Sequence, residues 1–157
     1  MLGKLHIHNP GNIRQSTDLF IGEIKPSSDT SFKEFANNSF GYRAMFKVLD
    51  SYRKRGIDSI EQIVTRYSED NVSAYVDFVV QRTGFASNAH IPNTKQAMTR
   101  LVAAMSRFEN GVDAKFDEVA QGWDMKENIE TAAKVVGGAG VLVITWLFVL
   151  LILNSKR

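Results

Sequence analysis

Apolar side chains recur at helical spacing from residue 36 onward, and glycines or capping residues punctuate them. One face of each segment is apolar, which is typical of helices that pack around a single core. The pattern predicts a first helix at 36–56 with Gly56 as its stop, and a second helix that begins with a capping box at Asp58 and Glu61. A third helix is expected from Asn71 to Gly84, and a fourth from Asn93 or Thr94 to Gly111. A short helical piece around Phe116 should end near Gly122 and Trp123.

The first 35 residues break this pattern. The stretches "KLHIHNPGN" and "DLFIGEIKPSSD" alternate and then turn. They predict one or two small hairpins or an irregular, partly β lobe. The expected fold class is therefore mainly α: a small helical domain with a loop-rich or short-β N-terminal lobe.

Residues 135–153 carry no charged side chain and are almost all apolar. A helix of that length would measure roughly 28 Å, close to the hydrocarbon thickness of a bilayer, and it would lack the polar stripe of a core helix. We expect one C-terminal transmembrane helix and a lipid bilayer as its partner. No signal segment opens the chain. The predicted order is a soluble head at 1–123, a helical stem at 124–134, the transmembrane helix at 135–153 and a basic tail at 154–157.

Composition adds few constraints on function. The net charge of +2 and the scattered basic residues do not indicate nucleic acid, and there is no cysteine to form a disulfide. No nucleophile elbow or phosphate-binding glycine loop is present. His6 and His8 would share one face of a strand, but with His90 as the third histidine they are too few for a metal site. We expect no metal and no cofactor.

The stretch "NPGNIR", residues 9–14, is dense in turn residues. Proline followed by glycine favours a tight turn, and Asn9 and Asn12 can bond its backbone. Arg14 adds a permanent charge with a planar fork of donors. The stretch is either a surface turn with a solvated arginine or one wall of a binding site.

Glu109 falls in the last turn of the predicted fourth helix, directly after Phe108. A carboxylate is unfavourable there because the helix dipole is already negative. That field and the neighbouring ring would raise the pKa of Glu109, as a general acid requires. The alternative is an exposed residue at the end of a helix.

Together these motifs resemble a family of small bacteriophage virion structural proteins with a lysozyme-like domain, as in tailless phages with an internal membrane. The resemblance covers residues 9–123, although "YSED" stands where the family has Ala-Pro and "DLFIGE" lacks a common tryptophan. The matching positions are Asn9 to Arg14, Gly41, Arg43, Ala44, Met45, Tyr52, Ile60, Ile63, Arg66, Tyr67, Asn71, Tyr75, Gly84 and Glu109 to Gly111.

The resemblance implies a lysozyme-like head in circularly permuted order, with residues 9–14 meeting Glu109 across a cleft. It implies cleavage of the peptidoglycan glycan strand, by hydrolysis or lytic transglycosylation, as the phage enters or leaves its host. Glu109 would be the acid and Glu23 the second carboxylate, with Asp18 behind it. The residues expected to bind substrate are Asn9, Asn12, Arg14, Tyr42 and Arg43.

The expected partners are peptidoglycan, the bilayer and other virion proteins, including capsid components. The expected location is the virion membrane, or the host inner membrane before assembly. Two alternatives stay open at this point. One is a catalytically inactive structural protein that tethers the capsid to an internal membrane, and the other is a host inner-membrane protein that binds the cell wall or a partner protein.

Overall fold

The computed structural model describes residues 7–136, and the chain divides into two compact units, Met1–Trp123 and Asp124–Arg157. The described residues form helices and irregular segments but no strand. The helices are α1 (Asn38–Arg53), α2 (Ile60–Tyr67), α3 (Val72–Thr83), α4 (Lys95–Asn110) and α5 (Phe116–Val136).

Local signals set the ends of α3 and α4, as predicted. The side chain of Thr94 accepts a hydrogen bond from the N–H of Ala97 and so caps the start of α4. Gly84 and Gly111 follow α3 and α4 in the left-handed conformation, each with φ of 72°. Asn71 precedes α3, also left-handed, with φ of 53°.

The capping box of α2 is formed by Ser59 and Gln62, so the prediction of Asp58 and Glu61 is wrong by one residue. Ser59 accepts from the N–H of Gln62 at 3.4 Å, and the Gln62 side chain accepts from the N–H of Ser59 at 3.3 Å. The Asp58 carboxylate instead lies 2.8 Å from the Nδ1 atom of His90. Both candidates are good capping residues, and the pairing of Asp58 leaves the cap to Ser59.

Helix α5 continues to Val136, so the prediction that it ends near Gly122 is also wrong. A Cβ on Gly122 would lie 2.9 Å from the carbonyl oxygen of Ser39 and 2.9 Å from the Cβ of Tyr42, both in α1. Gly122 therefore allows the N-terminal part of α5 to lie close to α1, and it does not end the helix.

The core of the first unit lies between the helices. Helix α4 packs against α3 and α1, and α2 packs against α3. Fully buried apolar side chains fill the space and stabilise the unit by about 1.5–3 kcal/mol each. They include Met45, Phe46, Ile60, Tyr75, Val79, Leu101, Val102 and Met105.

The lobe that precedes α1 is loop-rich. Within the described residues, its β-type pairing consists of two isolated bridges, one between Arg14 and Phe32 and one between Glu23 and Phe35. Further backbone bonds fasten the lobe, among them Lys33 N–H to Ile13 O at 2.9 Å and Ile24 N–H to Glu34 O at 2.8 Å. Of the two predicted forms, loop-rich or short-β, the structure has the first.

The predicted membrane-spanning part of the fold class is corrected. Among residues 7–136, no helix has the length and apolar character needed to cross a bilayer. Residues 137–153 of the expected transmembrane helix, and the tail after them, lie outside the described residues. The expected location in the virion membrane or the host inner membrane, which depended on this single C-terminal helix, is corrected with it.

Candidate functional site

Residues 9–14 form a turn that the side chain of Asn9 holds in shape. Asn9 is buried, and its Nδ2 atom donates to the carbonyl oxygens of Ile13 at 2.9 Å and Lys33 at 2.8 Å. Its Oδ1 atom accepts from the N–H of Ile13 at 2.9 Å. These bonds use most of the capacity of the amide. Asn9 thus has a structural task, and it does not reach the groove described below.

The turn is bonded to the C-terminal end of α4. The Nδ2 atom of Asn12 donates to the Oε2 atom of Glu109 at 3.0 Å and to its carbonyl oxygen at 3.2 Å. Asn110 donates to the carbonyl oxygen of Pro10, and the hydroxyl of Tyr67 donates to that of Gly11 at 2.6 Å. The predicted meeting of residues 9–14 with Glu109 is confirmed.

The environment of Glu109 favours its neutral form. Burial raises the pKa of this carboxyl, and hydrogen bonds from Asn12 and Tyr75 oppose the rise only in part. The predicted direction of the pKa shift is confirmed, but its main cause is burial. The ring of Phe108 stacks on that of Tyr75, with 3.9 Å between the ring centroids.

The phenols of Tyr67 and Tyr75 beside Glu109 keep their protons. Burial, followed by the charge of Glu109, raises the pKa of Tyr67 and of Tyr75 well above 10. The hydroxyl of Tyr75 also donates to the carbonyl oxygen of Met105 at 3.3 Å. The side-chain donors to the Glu109 carboxyl, Asn12 and Tyr75, are therefore uncharged and do not supply a cation that would favour its ionised form.

Glu109 lies at a groove of about 620 Å³ between the turn and the end of α2. Two arginines line it, each above an aromatic ring: Arg14 is 5.5 Å from the centroid of Phe32, and Arg66 is 6.0 Å from that of Tyr52. Such stacking holds a guanidinium in place while its N–H groups stay available. The groove therefore combines a carboxyl whose pKa is raised with two oriented cations.

Several residues of this groove were not foreseen as functional. Arg66 and Tyr67 were among the motif positions, so the motif could have indicated them. Glu69 and Asp70 are exposed carboxylates in the connection from α2 to α3, and they line the same groove. Only the fold brings that connection opposite residues 9–14, so no local pattern marks these two acids.

Two predicted substrate-binding residues lie elsewhere. Tyr42 is 3 % exposed, its hydroxyl lies 3.4 Å from Oγ of Ser106, and burial raises its pKa. It lines a smaller cavity of about 140 Å³ that also contains Asn9 and Asn110. Arg43 is 5 % exposed on the core side of α1. Of the five predicted residues, the structure brings Asn12 and Arg14 to the groove with Glu109.

Glu23, the predicted second carboxylate, is held in the lobe by Lys33. The Nζ atom of Lys33 lies 2.9 Å from Oε1 of Glu23, and the two side chains are 0 % and 4 % exposed. Burial raises the pKa of Glu23, but the bond and charge of Lys33 and the N–H of Phe20 outweigh it and leave the pKa below its usual value. Lys33 also donates to the carbonyl oxygen of Asp18 at 2.8 Å. The structure thus gives Glu23 an ionised, structural environment away from Glu109.

The predicted histidine pair is described only in part. His6 lies outside the described residues, and the Nδ1 atom of His8 lies 3.0 Å from Oδ1 of Asn38. No group of three or more metal-binding side chains occurs within residues 7–136.

The chain matches no protein-family model and no curated protein.

Proposed function

We propose that the Met1–Trp123 unit cleaves glycosidic bonds of the peptidoglycan glycan strand, with Glu109 as the general acid. The observation that carries the proposal is a carboxyl with a raised pKa at the wall of an open, polar groove. A neutral carboxylic acid can protonate the leaving oxygen of a glycosidic bond near neutral pH. The bacteriophage setting and the choice of peptidoglycan rest on the motif resemblance.

Asn12 would act as a positioning residue in this mechanism. Its Nδ2 atom donates to Oε2 of Glu109, so Oε2 is engaged as an acceptor. The transferable proton is then carried by Oε1. The left-handed backbone of Asn12, with φ of 47°, aims its amide at the carboxyl. Such a bond fixes the rotamer of the acid before substrate binds.

The groove offers two candidates for a second carboxylate, Glu69 and Asp70. One of them could activate water, which would give hydrolysis. Without such a base, the substrate's own hydroxyl would attack, and Glu109, ionised after protonating the leaving oxygen, would accept the proton of that hydroxyl. A lytic transglycosylase product would then form. Arg14 and Arg66 are suited to carboxylates of the peptide stems, because their guanidinium groups lie along the same groove.

A catalytically inactive structural protein of the virion is the second candidate. The observation that favours it is the number of bonds between the turn and α4, in which Glu109 itself takes part. In that case Glu109 would be one half of a structural contact, and the groove would bind no glycan.

Glu109→Gln distinguishes the two candidates, and Glu61→Gln, at an exposed glutamate of α2 that does not line the groove, is the matched control. Gln keeps the acceptor for Asn12 and removes the proton, so glycan cleavage should fall by about 10²- to 10⁴-fold. Release of soluble fragments from purified peptidoglycan measures the rate. Mass spectrometry of the fragments identifies either a reducing or an anhydro-muramic end. Equal rates for parent and Glu109→Gln, or no product from the folded parent, would reject the proposal.

A further inference from the structure

A second cavity lies at the C-terminal ends of α3 and α4, and its lining is strongly basic. It encloses about 300 Å³, and three arginines, Arg82, Arg100 and Arg107, line it together with Asp113. Alanines and Phe116 form the remainder of its wall. Arg107 and Glu109 are two positions apart, which is about 200° around the helix axis. The cavity is thus separate from the groove that contains Glu109.

Contacts with neighbouring residues orient the three guanidinium groups. The Nη1 atom of Arg107 donates to the carbonyl oxygen of Gly111. Arg82 lies 5.4 Å from the centroid of Phe78, and Arg100 lies 5.7 Å from that of Phe85. The Nη2 atom of Arg100 donates to the carbonyl oxygen of Thr83 at 2.6 Å. These contacts use one face or one nitrogen of each group. Since an arginine has five N–H donors, several remain for a ligand in the cavity.

Among the described residues of the cavity lining, Asp113 is the acid, and it is paired with two of the arginines. Its Oδ1 atom accepts from Nη2 of Arg82 at 2.8 Å and lies 3.7 Å from Nε of Arg107. Its side chain is 72 % exposed and stands on the loop between α4 and α5, so it can be displaced by another anion. Three arginines and one aspartate leave two positive charges, which is enough to balance either a phosphate dianion or the single charge of a phosphodiester.

We propose that this cavity binds a phosphate group. Guanidinium forks bind phosphate oxygens in pairs, and three arginines around one cavity suit a tetrahedral group better than a planar carboxylate. The phosphate group comes either from inorganic phosphate or from a phosphodiester polymer. Both sources use the same contacts with Arg82, Arg100 and Arg107.

Calorimetric titration of the full chain with inorganic phosphate tests the proposal. We expect saturable binding that Arg82→Gln and Arg107→Gln each weaken at least about tenfold, and that Asp113→Asn tightens about tenfold because the competing carboxylate is gone. Arg55→Gln is the matched control, since Arg55 bonds to Ser51 outside the cavity and its loss should change nothing.

Three outcomes would overturn the proposal: no saturation at about 10 mM phosphate, equal binding of acetate and phosphate, or an Asp113→Asn variant with unchanged affinity. Thermal melts of every variant show whether it is folded. A glycerol-phosphate oligomer identifies the source, because tighter binding than free phosphate indicates the polymer and equal binding indicates the free ion. Glu109→Gln should leave phosphate affinity unchanged, so this proposal and the glycan proposal fail separately.

Discussion

Gly11→Ala should destabilise the Met1–Trp123 unit because no space exists for a side chain at this position. A Cβ there would lie 2.7 Å from Cγ and 2.8 Å from Sδ of Met45, and it would also meet the hydroxyl of Tyr67. Carbon atoms in contact prefer about 3.5 Å or more, so Met45 or the turn must move by about 0.8 Å. Met45 is fully buried and cannot move into solvent.

The magnitude follows from two terms. Overpacking a filled core costs about 1–3 kcal/mol. The hydrogen bond from Tyr67 to the carbonyl oxygen of Gly11, 2.6 Å long, would be strained or lost at a further cost of about 0.5–1.5 kcal/mol. A total of about 1.5–4.5 kcal/mol corresponds to a decrease in Tm of about 3–18 °C for a chain of this size.

Urea unfolding followed by circular dichroism measures this loss, and Met45→Ala supplies the control. Met45→Ala alone should be destabilising because it leaves a cavity. In the double variant the new methyl group fills part of that cavity. The loss of stability in the double variant should therefore be about 1–2 kcal/mol smaller than the sum of the losses in the two single variants. Strict additivity, or a Gly11→Ala protein within about 0.5 kcal/mol of the parent, would refute the reasoning.

Three further predictions concern buried polar groups. Asn9→Ala should cost about 2–4 kcal/mol in urea unfolding, because it leaves the N–H of Ile13 and two carbonyl oxygens without their partner. Lys33→Met should cost about 3–5 kcal/mol because the Glu23 carboxylate loses its buried counter-ion, and adding Glu23→Gln should recover most of that loss. Glu109→Gln should raise Tm at pH 7 and have little effect on Tm below pH 4.5. Burial raises the pKa of Glu109 in the folded chain, so the parent loses stability as pH rises from about 4.5 through that raised pKa. The glutamine variant has no such group and does not lose this stability. A Tm difference that is independent of pH would contradict burial as the cause of the shift.

Local signals predicted the helices best where a single residue type decides the boundary. Gly84 and Gly111 adopt positive φ, and few other residues do so at low cost, so the ends of α3 and α4 could be read directly. At Asp58 and Ser59 two good capping residues are adjacent, and a distant contact with His90 selects between them. Gly122 misled the prediction because its role is close packing against α1, which local sequence does not reveal.

The candidate site was predictable only in outline. A carboxylate at the end of an apolar helix and a turn rich in asparagine are visible in sequence, and the two do meet. Which side of a turn or helix each polar residue faces depends on tertiary packing. For this reason Asn9 is buried and bonds the backbone of the turn, and Tyr42 is buried in the core. Glu69 and Asp70 carry no local signal at all, because their proximity to Glu109 arises from how α2 and α3 pack.

The bonds between the turn and α4 also bear on the order of folding. They join residues 97 to 100 positions apart in sequence. Contacts of such separation form late, because closing a long loop costs entropy that earlier, local contacts must first offset. During synthesis, residues 9–14 leave the ribosome long before Glu109 exists, and α1, α2 and α3 can form in that interval. The groove acquires its acid only when α4 docks, so a growing chain has no complete site until the first unit is nearly whole.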